Sequence, residues 1–257
     1  MAVQLSEIGA FARKHDPDRF FCALFAPPGP REALFALIGY HHELGRARET
    51  ASNPMIAAIR LQWWRDALEQ NRRHEVATPL RAGIEAGLLD PADLLAMADA
   101  REAELEEDSI PTRAAFAAYL RGSHGGFAVA AGRMLGATGG DLAALQAVGA
   151  AQGLAAVLRN AGALAARGRC LLPLDALAGA SMTRYEAMAE PARLAPIIRQ
   201  LAQPPAPPRR WPAALLPAAL PAVLARRDLA RLAHDHPARR GTADRLALLL
   251  AAWRRRA

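Results

Sequence analysis

Early in the chain, arginines crowd two pairs of neighbouring rings: Arg46 and Arg48 follow His41 and His42, and Arg60 and Arg65 flank Trp63 and Trp64. A guanidinium offers several directed donors, so this group could clamp a carboxylate or a phosphate. Local acids make internal ion pairing the competing reading, with Glu43 or Glu49 in reach of Arg46 and Asp66 or Glu69 in reach of Arg65. Adjacent tryptophans on one helix cannot both face the core. One packs inside, and the other is free to line a groove or to anchor a membrane or partner surface.

Magnesium-assisted departure of a phosphate needs several carboxylates converging on one cavity, spaced three or four residues apart where they share a helix. The candidates are Glu43, Glu49, Asp66, Glu69 and the run from Glu102 to Asp108. Of these, Glu49 and Asp66 sit near apolar sequence that reads as buried, and neither has a close pair. That is too few for a magnesium cluster unless distant acids converge in space, and the REAELEED run reads as a solvated face.

Other chemistries find less support. His41 and His42 point apart on a helix, no HExxH spacing occurs, and His234-Asp235-His236 reads as a solvated turn. Ser123-His124 lacks a positioned acid, and Cys22 and Cys170 read as structural thiols. Gly122, Gly125 and Gly126 lie between expected helices and lack the lysine and preceding strand of a phosphate-binding loop.

Composition sets the frame for these residues. Of 257 residues 52% are apolar but only 5% aromatic, and the abundant alanine favours closely packed helices over sheet. The expected fold class is all-α, with residues 1–257 forming a single domain. A net charge of +7 suits phosphate, an anionic membrane or nucleic acid alike. No compact basic stripe, stacking platform or known module accompanies it, so no nucleic-acid partner is expected. Two cysteines suit a reducing compartment, and the N-terminal stretch shows no secretory pattern. No apolar run is seen to reach the roughly 18 to 20 residues of a membrane span, which leaves peripheral membrane contact.

The elements that must position these groups begin with a long helix from Arg31, with Pro30 at its first position. After a break at Ser52-Asn53-Pro54, a second helix carries Arg60, Trp63, Trp64 and Arg65. Ile56, Ile59, Trp63 and Ala67 share one face of that second helix, with Arg60 and Trp64 beside it. Further helices are expected near 5–14, 19–25, 75–88, from Asp90-Pro91 through Glu106, from Thr112, and over 127–135. Asp141 reads as the cap of a helix over 142–164, whose Gly149, Gly153 and Gly162 invite close approach. A helix near 183–202, a proline-rich connection and a final pair complete the chain.

The segments ALFALIGYHHELGRARE, IRLQWWRDALE, YLRGSHGG and AVLRNAGALAARGRCLLPLD occur in an order and spacing that resembles the squalene/phytoene synthase family. The resemblance implies an isoprenoid synthase-like helical bundle with a central cavity. Catalytic members join two prenyl diphosphates using magnesium held by two aspartate-rich helical motifs. Here the first motif falls on Gly45, Arg46 and Glu49, or three residues earlier on His42, Glu43 and Arg46. The second falls on Asn160, Ala163 and Leu164, just before Gly168-Arg169 and Leu172-Pro173. Alanine and leucine cannot coordinate a metal, and arginine repels one.

The first helical pair is also similar to the noncatalytic branch of this family, which includes a mitochondrial factor needed to assemble respiratory complex I. The resemblance therefore implies a protein without metal or other cofactor that binds a partner or an isoprenoid-like lipid. Its partner would be a respiratory complex I subunit or assembly intermediate, and its place the cytoplasm, with peripheral contact at the inner membrane. Arg46, Glu49, Arg60, Trp64 and Arg65 form one candidate binding side, and Asn160 and Arg169 the other. The alternative is a magnesium-dependent prenyltransferase with an atypical metal site.

Overall fold

The computed structural model describes residues 5–51, 53–70, 72–105, 110–203, 205–234 and 240–257. Among them the regular elements are helical, with one isolated antiparallel bridge between Arg210 and Arg256. Short polar residues start many of the helices. Ser6 caps α1 (Glu7–His15), and Asp16 accepts from the Arg19 amide to cap α2 (Pro17–Ala23). The long α3 (Pro28–Glu49) begins two residues before the expected Pro30, because Pro27 already stands outside the helix. Asn53 accepts from the Ile56 amide and Pro54 opens α4 (Pro54–Glu69); the alternative cap, Ser52, lies outside the described residues.

Every residue of α3 from Ala33 to His41 is buried, so this helix runs through the interior, packed by α1, α4 and α5 (Ala77–Glu85). On α4 the buried residues are Ala57, Leu61, Trp64, Ala67 and Leu68, while Ile59 remains 63% exposed. The face carrying Ile56 and Ile59 is thus the outer one. α4 is apolar on more than one side, and contact with α3, α5 and α6 (Pro91–Ala100) decides which side is covered.

α6 stops at Ala100 instead of running to Glu106, and a 3-10 turn follows over Arg101–Glu104. The acidic run is not simply a solvated face: Arg101 and Glu104 are both more than nine-tenths buried, each offsetting the other's charge. Glu106, Glu107 and Asp108 lie outside the described residues.

Thr112 caps α7 (Arg113–Leu120), and the helix then passes through a π turn at Arg121–Gly125 directly into α8 (Gly126–Met134). The three glycines expected between helices therefore lie within a continuous one. A Cβ on Gly122 would come within 2.6 Å of the Ala100 Cβ, and one on Gly126 within 2.9 Å of Met97. The bulge lets α6 lie against the chain at this point.

The longest element is α9 (Gly140–Ala165). Asp141 is not its cap; Gly139 holds that position and Asp141 accepts instead from Arg209 at 2.5 Å. By length and composition α9 is long and apolar enough to cross a bilayer, contrary to the expectation that no run is. Its small alanine and glycine residues serve packing, for α9 lies against α8, the π turn and α14 (Pro221–Ala233). At Gly153 a Cβ would meet the His124 ring at 2.6 Å, so the expected close approach is made by that imidazole.

Beyond α9 lies the short α10 (Leu174–Ala178). Prolines then divide the expected 183–202 helix into α11 (Arg184–Ala189), a 3-10 turn at Pro191–Leu194 and α12 (Ala195–Leu201). α13 (Leu216–Ala219), α14 (Pro221–Ala233) and α15 (Thr242–Arg254) complete the chain. Of His234-Asp235-His236, the last two residues lie outside the described residues.

Candidate functional site

His41, Gly45 and Glu49 follow one another at four-residue steps and share one face of α3, and Gln152, Ala156, Asn160 and Ala163, at steps of four, four and three, share one face of α9. The two faces look toward one cavity of about 320 Å³, with Gly45 and Glu49 on one wall and Asn160, Ala163 and Leu164 on the other. Gly45 and Glu49, which the family resemblance assigns to the first metal motif, and Asn160, Ala163 and Leu164, which it assigns to the second, therefore line one cavity, whereas His42 and Glu43 of the alternative assignment line others. Arg46 is an exception within the first motif, because the residue after Gly45 on a helix points about 100° away from it.

Arg101, Glu104, Tyr119 and Arg169, which line this cavity, form a polar network. Glu104 Oε1 accepts from Arg101 at 2.7 Å and from the Tyr119 hydroxyl at 2.9 Å, and Oε2 accepts from Arg169 at 2.8 Å. Burial by itself would raise the Glu104 carboxyl, but Arg101 and Arg169 hold it below the usual carboxylate range. Burial pushes the Tyr119 phenol up, so it keeps the proton it donates to Glu104. Beside this network Ser123 donates to the Tyr119 carbonyl at 2.6 Å.

His41 joins this network to a second group. Arg101 Nη2 lies 3.1 Å from its Nε2, and Arg19 Nη1 lies 3.0 Å from its Nδ1. Arg19 also donates to Gln152 Oε1 at 3.0 and 3.2 Å, pairs with Asp16 at 3.3 Å and lies over the Phe127 ring. Burial, reinforced by Arg19, His124 and Arg101, holds His41 far below the ordinary histidine range. A neutral imidazole has a single acceptor nitrogen, so one guanidinium receives no acceptor from His41 and faces its N–H. A second cavity of about 260 Å³, lined by Arg19, His41, Arg159 and Arg240, meets the first at His124 and Ala156.

The seven sequence-derived candidates do not form a single site. Glu49, Asn160 and Arg169 line the cavity between α3 and α9. Arg46, Arg60 and Trp64 line a separate cavity of about 370 Å³, together with Trp63 and His74. There Arg46 pairs with Glu43 at 3.7 Å, and Arg60 donates to Thr50 Oγ1. Arg65 lines neither; it pairs with Asp99 at 2.8 Å and Glu102 at 2.5 Å, not with Asp66 or Glu69 as its neighbours in sequence suggest. Those acids come from the end of α6 and the turn after it, which the packing of α4 on α6 brings within reach.

Sequence reasoning missed Arg19, Arg101, Glu104, Tyr119 and Gln152. Two signals were present: an arginine opening the apolar run RFFCALF, and an i, i+3 arginine–glutamate pair at Arg101 and Glu104.

The residues at the motif positions do not fit a magnesium cluster. Both oxygens of Glu104 already accept from arginine or tyrosine donors, Asn160 offers only a neutral oxygen, and Ala163 and Leu164 offer none. Glu102 is drawn away to Arg65. Among the described residues no three histidine, cysteine or acidic side chains are grouped to hold a metal.

The squalene/phytoene synthase family pattern matches residues 12–204. This chain belongs to the squalene/phytoene synthase family. Its fold agrees: a squalene synthase HpnC from Alicyclobacillus acidocaldarius superposes with a TM-score of 0.65 at 17% identity, covering 89% of this chain and 92% of that one. A dehydrosqualene synthase superposes with a TM-score of 0.68 at 13% identity, covering 96% and 94%. The fold is thus an all-α, isoprenoid-synthase-like helical bundle. In sequence the chain is similar to NADH dehydrogenase (ubiquinone) complex I, assembly factor 6, from Homo sapiens, 27% identical over 171 residues, and from Bos taurus, 28% identical over the same length. These matches cover 63% of this chain and 51% of each relative, so the chain spans about half the length of the curated relatives it matches.

Proposed function

We propose that this squalene/phytoene synthase family member is noncatalytic, acting as one domain that binds a partner or an isoprenoid-like lipid in the assembly of a respiratory complex. One observation carries the reading. Where α3 and α9 face each other, Gly45 and Glu49 stand opposite Asn160, Ala163 and Leu164, and the buried Glu104 is neutralised by Arg101 and Arg169. Too few carboxylates are left to hold magnesium against a departing diphosphate.

The cavity between α3 and α9 is, on this reading, the central cavity of the fold, with ion pairs in place of metal. Similarity to relatives named as complex I assembly factors supports a partner from that complex or an intermediate of its assembly. The proposed place is the cytoplasm, with peripheral contact at the inner membrane. Arg46, Arg60 and Trp64 offer a second, cationic and aromatic surface to such a partner.

The test incubates purified protein with farnesyl or geranylgeranyl diphosphate and magnesium. Absence of turnover, with capture of a respiratory assembly intermediate, is the expected result. Production of a condensed or cyclised prenyl product overturns the reading and restores the prenyltransferase alternative.

A further inference from the structure

The outer face of α15 carries a feature that the cavity reading does not use. Leu246, Leu249, Leu250 and Trp253 are all exposed, with Leu246 at 64% and Trp253 at 79%. On a helix these four positions fall within an arc of about 100°. Asp244, Leu248 and Ala252 occupy the opposite side, where they are buried. α15 is therefore amphipathic twice over, with one apolar face in the core and another in solvent.

Charge frames the outer face. Arg245 lies about 100° to one side of Leu246 and Arg254 about 80° to the other, so an arginine borders each edge of the apolar stripe. Both are exposed, as are Arg255 and Arg256 just beyond the helix. Asp244 is the single acid between Thr242 and Ala257, and it is turned inward to accept from Arg227 at 2.6 Å and Arg231 at 2.7 Å. The outer face thus presents apolar side chains and positive charge with no exposed carboxylate.

The chain just beyond the helix is also tied down. The Trp211 amide donates to the Arg255 carbonyl at 2.9 Å, and Arg209 exchanges backbone hydrogen bonds with Ala257 at 3.0 and 3.1 Å. An apolar stripe with a tryptophan near one end and arginines along both edges matches a bilayer interface. There the rings and leucines enter the acyl boundary and the guanidiniums stay among the phosphates. We propose that α15 docks this protein onto an anionic lipid surface through Leu246, Leu249, Leu250 and Trp253, with Arg245 and Arg254 engaging lipid phosphate.

The inference deepens the peripheral-contact part of the proposed function, and its test is separate from the prenyl diphosphate assay. Full-length protein is floated with vesicles of equal parts phosphatidylglycerol and phosphatidylcholine, and with vesicles of phosphatidylcholine alone. Binding to the anionic vesicles is expected to be at least about tenfold tighter and to weaken with salt. The Leu249→Gln, Trp253→Gln double variant and the Arg245→Glu, Arg254→Glu double variant each lose about tenfold or more in binding. Both keep the wild-type melting temperature, because the altered side chains are exposed. A blue shift of tryptophan emission on binding is lost in Trp253→Phe. Equal binding to both vesicle types, or unchanged binding by the variants, overturns the proposal. So does a wild-type dimer that Trp253→Gln dissociates and that ignores vesicles, since the face then belongs to a second copy of the chain. Absence of both prenyl turnover and vesicle binding would remove the α15 inference and leave the noncatalytic reading standing.

Discussion

Arg169, on the stretch that follows α9, donates to Glu104 Oε2 at 2.8 Å and so ties that stretch to the turn after α6. Glu104 is buried and answers two arginines at once. Removing one partner from a buried ionic group leaves the others uncompensated, at a cost of about 3–5 kcal/mol. Glu104→Ala should therefore lower the thermal midpoint sharply, and Arg169→Ala should lower it less, since Arg101 still answers the carboxylate. A Glu104→Ala protein that melts with the wild type would show that this network does not hold the fold.

Acid should unfold the protein earlier than carboxylate titration would. His41 and His124 are both held well below the ordinary histidine range by burial and by nearby Arg19 and Arg101. For a depressed histidine, the unfolded chain takes up a proton near pH 6.5 while the folded chain does not. Stability is thus complete above that pH and falls as pH drops below it, by up to about 1.4 kcal/mol per pH unit for each histidine. His42, lowered to about 4 by burial and by His15 and Arg46, adds to the same slope until its own folded-state protonation. Urea unfolding at pH 7.5, 6.5 and 5.5 measures this, and His41→Asn or His124→Asn should flatten the profile. A flat wild-type profile across that window would contradict the buried neutral assignment.

Carboxylates restored to α9 should create a metal response. Asn160 and Ala163 are three residues apart on the wall opposite Glu49, the spacing that lets two ligands share an ion. In the Asn160→Asp, Ala163→Asp variant, millimolar magnesium should raise the melting temperature, whereas the wild type should not respond. Equal responses from the two proteins would mean that magnesium binds elsewhere.

The adjacent tryptophans should differ in their contribution to stability. Trp64 is buried and meets Tyr40 edge-on, with ring centroids 5.5 Å apart, whereas Trp63 is only partly buried. Trp64→Ala should cost about 3–5 kcal/mol, the range for a large aromatic removed from a core, and Trp63→Ala distinctly less. Chemical denaturation of the two variants ranks them, and a reversed order would put the α4 faces the wrong way round.

How far the sequence carried depended on whether an interaction was local. Helix starts at Asn53-Pro54, Asp90-Pro91 and Thr112 were legible because each cap bonds an amide two or three residues ahead. The facing of Glu49 and Asn160, Ala163 and Leu164 across one cavity was expected from the family resemblance, which assigns these positions to the two motifs. Arg65 and Asp141 were misread because their partners, Asp99, Glu102 and Arg209, are distant in sequence.

By itself the sequence determined an all-α chain whose segments, in their order and spacing, resemble this family. Local propensity, capping and residue chemistry are all written along a single helix at a time. Tertiary structure alone decided that Arg46 and Glu49 open onto different cavities and that Glu104 is buried. It also decided that Arg19 and Arg101 close on His41 from opposite sides. These outcomes depend on which faces of α3, α6 and α9 meet, and helices apolar on several sides leave that choice to packing.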